Sequence, residues 1–193
     1  MRIMAGRLKG RVLRIPAEAG CRPMLGVARK ALFDIIRPRI GPASSFLDLF
    51  GGTGGVGIEA WSRGVDDVTI NEIDRGRNRC IGENLAALGI AETVKLFRLD
   101  FREMLDYAAR HGLSFDLVFT APPYAETEYY GAVLAFFRSH PACLRTDGLL
   151  ILEHHMKFKP DTAGFAVTKE SRYGETVLLF LSLPQPAASE GRT

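Results

Sequence analysis

The chain has 193 residues, of which 47% are hydrophobic and 24% charged, and its net charge is +3. This composition is that of an ordinary globular protein and argues against disorder over most of the length. No apolar run approaches the roughly 20 residues that span a bilayer, and the basic N-terminus lacks the apolar segment of a secretory signal. We therefore expect a cytoplasmic protein with no membrane partner.

Positive charge is concentrated at the N-terminal end. Residues 1–45 hold ten Lys or Arg against two acids, a net charge of +8, so the remainder carries −5. A basic lobe on an acidic body is typical of a protein that binds a polyanion, although a solubilising arm has the same composition.

The cysteines do not indicate a metal site. Cys21, Cys80 and Cys143 are far apart and lack the close spacing of metal ligands. We expect reduced cysteines and no bound metal.

The first 40 residues are expected to form a basic extension. Apolar and basic residues alternate over 2–16, with Gly6 and Gly10 as bend points, which predicts a short hairpin outside the main sheet. Apolar residues at helical spacing then predict a helix after Pro23 that Pro38 ends.

From Ser45 onward, strands and helices alternate along the chain. Apolar runs at 45–50, 67–73, 93–97, 115–120 and 148–154 predict strands, with helices at 56–62, 75–88, 101–109 and 129–139 between them. The last two runs, 165–173 and 175–182, predict a hairpin around Gly174. The expected fold is α/β over 41–183, a mostly parallel sheet with helices on both faces, followed by a flexible tail at 184–193.

A glycine-rich turn follows the first predicted strand, in LDLFGGTGGVGIEA. Gly52, Gly54 and Gly57 make a G-x-G-x-x-G pattern, and Glu72 lies twenty residues beyond the first of them, which is the dinucleotide fingerprint. Asp48, however, lies inside the strand just before the glycines, where a carboxylate would repel a pyrophosphate. That carboxylate suits the cationic amino acid end of S-adenosylmethionine, so this cofactor is preferred and a nicotinamide-dependent oxidoreductase stays as an alternative.

Acidic residues at the next two strand ends extend the predicted cofactor site. One Glu72 carboxylate matches two ribose hydroxyls, and Asp100 is suited to the adenine amine with Phe101 beside the base. Asp100 could instead cap the helix that begins at Phe101. The full predicted cofactor set is Asp48, Phe50, Gly52, Thr53, Gly54, Glu72, Ile73, Asp100 and Phe101.

The chain resembles the bacterial methyltransferases that modify the exocyclic amine of one guanine in 16S ribosomal RNA. The resemblance covers residues 1–182 and rests on LDLFGGTGGVGIEAWSRGVDDVTINEID, on AGRLKGR near the N-terminus and on SRYGETVLLF near the end. It implies a Rossmann-like class I methyltransferase with a seven-stranded sheet and a reversed final hairpin. It also implies S-adenosylmethionine as cofactor and RNA of an assembling small subunit as partner, with a monomer expected. The predicted phosphate contacts are Arg7, Lys9, Arg11, Arg22 and Arg29.

The catalytic corner expected of that family is Asp-Pro-Pro-Tyr, and here it reads Ala121-Pro122-Pro123-Tyr124. In the family the acid and a backbone carbonyl accept the two N–H bonds of the amine, the prolines fix the corner, and the tyrosine stacks on a splayed-out base.

Ala121 removes one acceptor, a loss of roughly 10²- to 10³-fold in rate. A slow enzyme, an enzyme acting on another nucleophile and a noncatalytic RNA-binding protein are all compatible with this change. Glu126 or Glu128 could supply the missing acid. The first helix departs as well, since Met24-Leu25 follow Arg22-Pro23 where the family has threonine.

Overall fold

A computed structural model describes residues 1–15 and 24–184 of the chain. The predicted phosphate contact Arg22 and nearly all of the predicted tail lie outside the described residues.

The described residues form a seven-stranded sheet with five α-helices. The helices are α1 (Gly26–Ile36), α2 (Gly55–Ser62), α3 (Arg75–Leu88), α4 (Phe101–Arg110) and α5 (Thr127–Ser139). The strands are β1 (Ser45–Asp48), β2 (Asp67–Asn71), β3 (Val94–Phe97), β4 (Phe115–Thr120), β5 (Leu144–His155), β6 (Ala166–Tyr173) and β7 (Thr176–Ser182).

The strand order is β3-β2-β1-β4-β5-β7-β6. The first five strands are parallel, and β7 is antiparallel to both β5 and β6. The predicted mostly parallel sheet with a reversed C-terminal hairpin is therefore confirmed.

Helices cover both faces of the sheet. Because successive strand residues point to opposite faces, Phe46 joins the core under α1, α2 and α3, whereas Leu47 joins the core under α4 and α5. Each strand of the sheet's centre thus reads as a continuous buried run, as expected for a parallel sheet.

The strand order reverses at β1, which pairs with β2 on one side and with β4 on the other. In open α/β sheets, ligands bind at this point, beyond the carboxyl ends of the strands. The predicted cofactor turn follows β1 and the Pro-Pro-Tyr corner follows β4, so both lie at this edge.

The N-terminal arm, residues 1–15, is a hairpin with one antiparallel bridge between Arg2 and Val12. It lies outside the main sheet, as predicted, but it is not detached from the domain. Ile3 and Leu13 are buried in the same core cluster as α1 and β1. The proposed boundary at residue 40 therefore crosses a shared hydrophobic core.

A buried carboxylate in α2 holds this arm. Glu59 is fully buried and accepts from the backbone N–H groups of Met4 and Ala5 at 2.9 and 3.1 Å. The Arg63 side chain donates to the same carboxylate at 2.8 Å. Three donors thus satisfy an acid that would be costly to bury alone, and the arm gains a fixed position.

Candidate functional site

The turn after β1 brings the chain into α2 with little space to spare. Gly54 begins the helix with a φ of +73°, which favours glycine. A Cβ on Gly57 would lie 2.6 Å from Ile70 Cγ1, so a side chain there would push α2 away from β2. The glycines therefore let the helix start close against the sheet.

Asp48 lies beneath this turn and is almost fully buried. Its Oδ2 accepts from Gly57 N at 3.0 Å, while its Oδ1 is buried and no described residue donates to it. Burial, together with the nearby Glu72 and Glu153 carboxylates, raises the pKa of Asp48 to about 7, against the opposing effect of the Gly57 hydrogen bond. An orphaned carboxylate oxygen at this position fits a cationic ligand.

Glu72 lies beside the same turn, directly after β2. Its Oε2 accepts from Gly52 N at 2.7 Å and its Oε1 accepts from Asp74 N at 2.9 Å. Burial raises the pKa of Glu72 even so. Each carboxylate oxygen can accept one more hydrogen bond, which is the pattern that two neighbouring hydroxyls need.

These contacts decide between the two cofactors that the glycine pattern allowed. In a dinucleotide site, the backbone N–H groups of the turn approach the pyrophosphate. Here Gly52 and Gly57 donate to the Glu72 and Asp48 carboxylates instead. A pyrophosphate would meet negative charge in place of those donors, so the nicotinamide alternative loses its support.

Two asparagines that the sequence analysis overlooked hold the strand ends in place. The Asn71 amide donates to Leu49 O at 3.3 Å and to Leu99 O at 3.0 Å, and its oxygen accepts from Leu99 N at 3.1 Å. Asn78 donates to the Glu72 backbone carbonyl at 3.2 Å. The ends of β1, β2 and β3 are thus fixed by side-chain amides.

The third predicted acid has a structural role of its own. Asp100 accepts from Arg102 N at 2.9 Å and forms a capping box with Glu103 at the start of α4. Phe101 is buried and packs on Phe50 and Tyr129, with ring centroids 5.2 and 4.7 Å away. The helix-cap alternative for Asp100 is therefore observed, and its contact with adenine stays a prediction.

Ile73 offers an apolar surface beside Glu72. Its side chain is 57% exposed, unlike the buried Phe101 ring. Thr53, also in the predicted set, is buried, and its hydroxyl accepts from Gly55 N at 3.3 Å. Of the two predicted cofactor residues Ile73 and Phe101, Ile73 is thus the one with an exposed apolar side chain.

The Pro-Pro-Tyr corner lies next to an acid that the sequence analysis also missed. Tyr124 is 40% exposed, and its hydroxyl donates to Glu153 Oε1 at 3.3 Å. Glu153 is buried near the end of β5, and burial raises its pKa to about 7 despite the Tyr124 hydrogen bond. Pro122 is buried and Pro123 is exposed.

Glu126 and Glu128, the acids that the sequence suggested as substitutes, interact with each other. A hydrogen bond from the Glu128 carboxyl raises the pKa of Glu126. The two side chains thus lie close together at the start of α5.

The predicted phosphate contacts divide into exposed and buried residues. Lys9 and Arg11 are exposed on the N-terminal arm. Arg7 is half-exposed, pairs with Asp66 at 2.9 Å and lies over the Trp61 ring.

Arg29 corrects the prediction, because its side chain is buried. It donates to Arg2 O at 2.8 Å and to Met1 Sδ, and burial lowers its pKa. Arg29 therefore holds the arm against α1 and cannot reach a phosphate in this arrangement.

Neither a membrane-spanning helix nor a cluster of metal ligands occurs in the described ranges, 1–15 and 24–184. No helix there is long and apolar enough to cross a membrane. No group of three or more His, Cys, Asp or Glu side chains there could hold a metal ion.

The fold and the carboxylate-lined glycine turn are those of the class I methyltransferases. The family model described as "Conserved hypothetical protein 95" matches residues 1–182. The chain belongs to this family, over the same residues that the sequence resemblance covered.

Curated relatives carry names from ribosomal RNA methylation. "Putative rRNA methyltransferase YlbH" of Bacillus subtilis is 32% identical over 91% of this chain and 95% of its own length. "Ribosomal RNA small subunit methyltransferase D" of Escherichia coli K12 is 33% identical over 64% of this chain and 60% of its own length. The predicted relationship to small-subunit rRNA methyltransferases is thereby confirmed.

A solved structure agrees. "Putative methyltransferase yhhF" from Escherichia coli superposes with a TM-score of 0.81 and 25% identity, covering 96% of this chain and 99% of that one. The described fold is thus that of a known methyltransferase-like structure along its length.

The raised pKa of Asp48 predicts how stability changes with pH. An unfolded aspartate has a pKa near 3.9, whereas folded Asp48 has a pKa of about 7. The folded state therefore keeps the Asp48 proton to a higher pH than the unfolded state. The stability that this difference gives is fully present below pH 3.9 and is lost as the pH rises through 7. Between pH 5 and 8 we expect Asp48 to remove about 2 to 3 kcal/mol of unfolding free energy. Urea unfolding of Asp48→Asn without cofactor should show a flatter pH dependence than the parent.

The measured quantity is the slope of the unfolding free energy against pH, because the substitution also changes the unfolding free energy by an amount that does not depend on pH. Asp67→Asn is the matched control, since Asp67 is half-exposed and pairs with Lys95; it should keep the parental slope. An Asp48→Asn protein with the parental slope would contradict the assignment.

Proposed function

We propose that this protein transfers the methyl group of S-adenosylmethionine to the exocyclic amine of a guanine in small-subunit ribosomal RNA. One observation carries the proposal: the carboxylate-lined turn and the Pro-Pro-Tyr corner follow adjacent paired strands, with Asp48 opposite Phe119. A cofactor in the turn and a base at the corner would therefore meet at one edge. The relatives named as rRNA methyltransferases support the same class of reaction.

S-adenosylmethionine is the cofactor that these residues fit. Asp48, with Phe50, Gly52, Thr53 and Gly54 around the turn, faces the cationic methionine end, because a buried carboxylate with an orphaned oxygen is stabilised by a positive charge. When bound, the cofactor supplies an electrophilic methyl group.

Residues at the ends of the next two strands, β2 and β3, bind the nucleoside part of the cofactor. Glu72 accepts from the ribose hydroxyls with the two acceptor sites that Gly52 and Asp74 leave open. Ile73 packs against the adenine ring, and Asp100 and Phe101 complete that side of the site. Asp100 would serve the adenine amine while it continues to cap α4.

The Pro-Pro-Tyr corner positions the base. A guanine in an RNA helix must leave the stack to present its amine, and an exposed aromatic ring offers a surface on which to stack it. Tyr124 has that exposed ring, and its hydroxyl is held by Glu153 and Thr176. The corner therefore presents a ring that is already oriented.

The N-terminal arm carries the charge for the RNA backbone. Lys9 and Arg11 are exposed on a hairpin that Glu59 fixes to α2, and the half-exposed Arg7 of the same hairpin lies over the Trp61 ring. Phosphate contacts give affinity and register without reading sequence. RNA of the small subunit, bound by a cytoplasmic monomer, is the partner we propose.

Loss of the ribose contact should weaken cofactor binding. In Glu72→Ala, two charge-assisted hydrogen bonds disappear, and we expect the Kd for S-adenosylmethionine to rise by about 10- to 100-fold. Isothermal calorimetry measures this change. Glu83→Ala, an exposed acid on α3, is the control and should keep the parental Kd; a Glu72→Ala protein that did the same would refute the ribose role.

Removing the exposed arm charges should weaken RNA binding evenly across sequences. For Lys9→Ala with Arg11→Ala, each lost phosphate contact should lower the slope of log affinity against log salt by about 0.7 to 0.9. Filter binding of small-subunit RNA between low and physiological salt gives the slope. Lys169→Ala, exposed on the edge strand β6, is the control; equal slopes for all three proteins would refute the arm as the RNA contact.

The reaction itself is tested with labelled S-adenosylmethionine, undermethylated small subunits and their naked RNA. We expect the parent protein to label one of these substrates, and mapping should place the label on a guanine exocyclic amine. Ala121→Asp provides the family's acid at that corner for comparison. Label that appears only with the aspartate variant would support the noncatalytic RNA-binding alternative, and label on another nucleotide would exclude the guanine assignment.

A further inference from the structure

The pairing of β4 with β5 places a second strand beside the position of the missing acid. Phe119 lies opposite Ile151 and Thr120 opposite Leu152. One step further along both strands, Ala121 follows Thr120 as Glu153 follows Leu152. Side chains that are opposite each other in adjacent parallel strands point to the same face of the sheet. Glu153 therefore points to the face on which an acid at position 121 would lie.

Core packing gives the same assignment independently. Phe119 and Ile151 belong to the cluster under α1, α2 and α3, and Ala121 packs against that cluster. Since side chains alternate, Glu153 is on the same side as Ile151. Thr120 has a buried hydroxyl to which no described residue is paired, but it alternates with Ala121 and so points to the opposite face.

Glu153 also reaches the corner itself. Neighbouring strands lie about 4.8 Å apart, and glutamate is one methylene longer than aspartate. Its Oε1 is 3.3 Å from the hydroxyl of Tyr124, the residue on which we place the base. The carboxylate is therefore already part of the Pro-Pro-Tyr corner.

We propose that Glu153 is the catalytic acceptor of this enzyme and replaces, from the neighbouring strand, the acid that position 121 lacks. The inference rests on the proposed methyl transfer to an exocyclic amine. The Glu153 carboxylate accepts one N–H of the amine and a backbone carbonyl of the corner accepts the other.

The group transfer is balanced at these atoms. The amine nitrogen forms a bond to the methyl carbon with its lone pair, and the electrons of the broken carbon–sulfur bond stay on sulfur, which leaves as a neutral thioether. The nitrogen becomes cationic and releases a proton to the Glu153 carboxylate, which passes it to water.

The surroundings of Glu153 suit this role. Its carboxylate accepts from the Tyr124 hydroxyl, and its backbone carbonyl accepts from the Tyr130 hydroxyl at 2.8 Å. Burial favours a carboxylate that accepts a proton readily near neutral pH.

The test compares four proteins: the parent, Glu153→Gln, Ala121→Asp, and the double variant that carries both. Single-turnover methyl transfer to undermethylated subunits should fall by about 10²- to 10³-fold in Glu153→Gln. Ala121→Asp in the same chain should restore most of that loss, because the acid returns on the adjacent strand. Glu175→Gln, an exposed acid that faces His155, is the control and should keep the parental rate.

Binding and stability separate a catalytic role from a structural one. S-adenosylhomocysteine affinity and RNA affinity should stay within about threefold of the parent in Glu153→Gln. The free energy of unfolding in urea should not fall below that of the parent, because the amide removes a buried carboxylate whose pKa burial raises. An acid at position 121 would not rescue a protein that had simply lost its packing.

Each other outcome overturns the inference. A Glu153→Gln protein with the parental rate, or a double variant that stays as slow as Glu153→Gln, removes Glu153 from the reaction while the proposed function stands. A parent that is silent while Ala121→Asp is active shows that Glu153 does not replace the acid. If neither the parent nor Ala121→Asp transfers methyl to any small-subunit substrate, the proposed function is refuted, and the inference with it.

Discussion

The site depends on carboxylates that are buried at one end of the sheet. Asp48, Glu72 and Glu153 are 1%, 5% and 7% exposed. Burial raises the pKa of each, although backbone or tyrosine hydrogen bonds oppose the shift. Burying a carboxylate without a positively charged partner lowers the stability of the folded state. A cationic ligand bound at this end of the sheet offsets this cost.

The glycine turn shows how one sequence pattern serves different cofactors. Its backbone N–H groups are donors in every case, and the residues of the preceding and following strands decide what they meet. With Asp48 before the turn and Glu72 after β2, the donors are occupied by carboxylates that belong to the protein. The negative end of the sheet then selects a cation where a bare turn would select a phosphate.

Local patterns predicted the elements well and the contacts of single side chains less well. The helix at 75–88 and the strand at 115–120 match the observed bounds, since capping, periodicity and apolar runs are local signals. Arg29 was misread, because nothing in its neighbours along the chain reveals that it is buried against Met1 and Arg2. The sequence placed Asp100 and Phe101 at a strand end. It did not show whether each of them caps a helix, packs in the core or contacts a ligand.

Glu59 and Glu153 were missed for the same physical reason. Glu59 meets residues more than fifty positions away, and Glu153 lies in an apolar run that reads simply as a strand. Their roles arise from packing and register between distant segments, which periodicity within one segment does not encode. The Asn71 amide, which links three strand ends, is a third example.

An altered motif residue does not by itself mean that the chemical group has gone. In a parallel sheet, the carboxyl ends of adjacent strands present side chains to one face at the spacing of a single hydrogen bond ladder. A carboxylate lost from β4 can be supplied from β5 if its side chain is long enough and is held. Glutamate has more rotamer freedom than aspartate, but burial and the Tyr124 hydroxyl restrict it. If Glu153 is the acceptor, as we propose, the change at position 121 is no longer an argument for the noncatalytic interpretation.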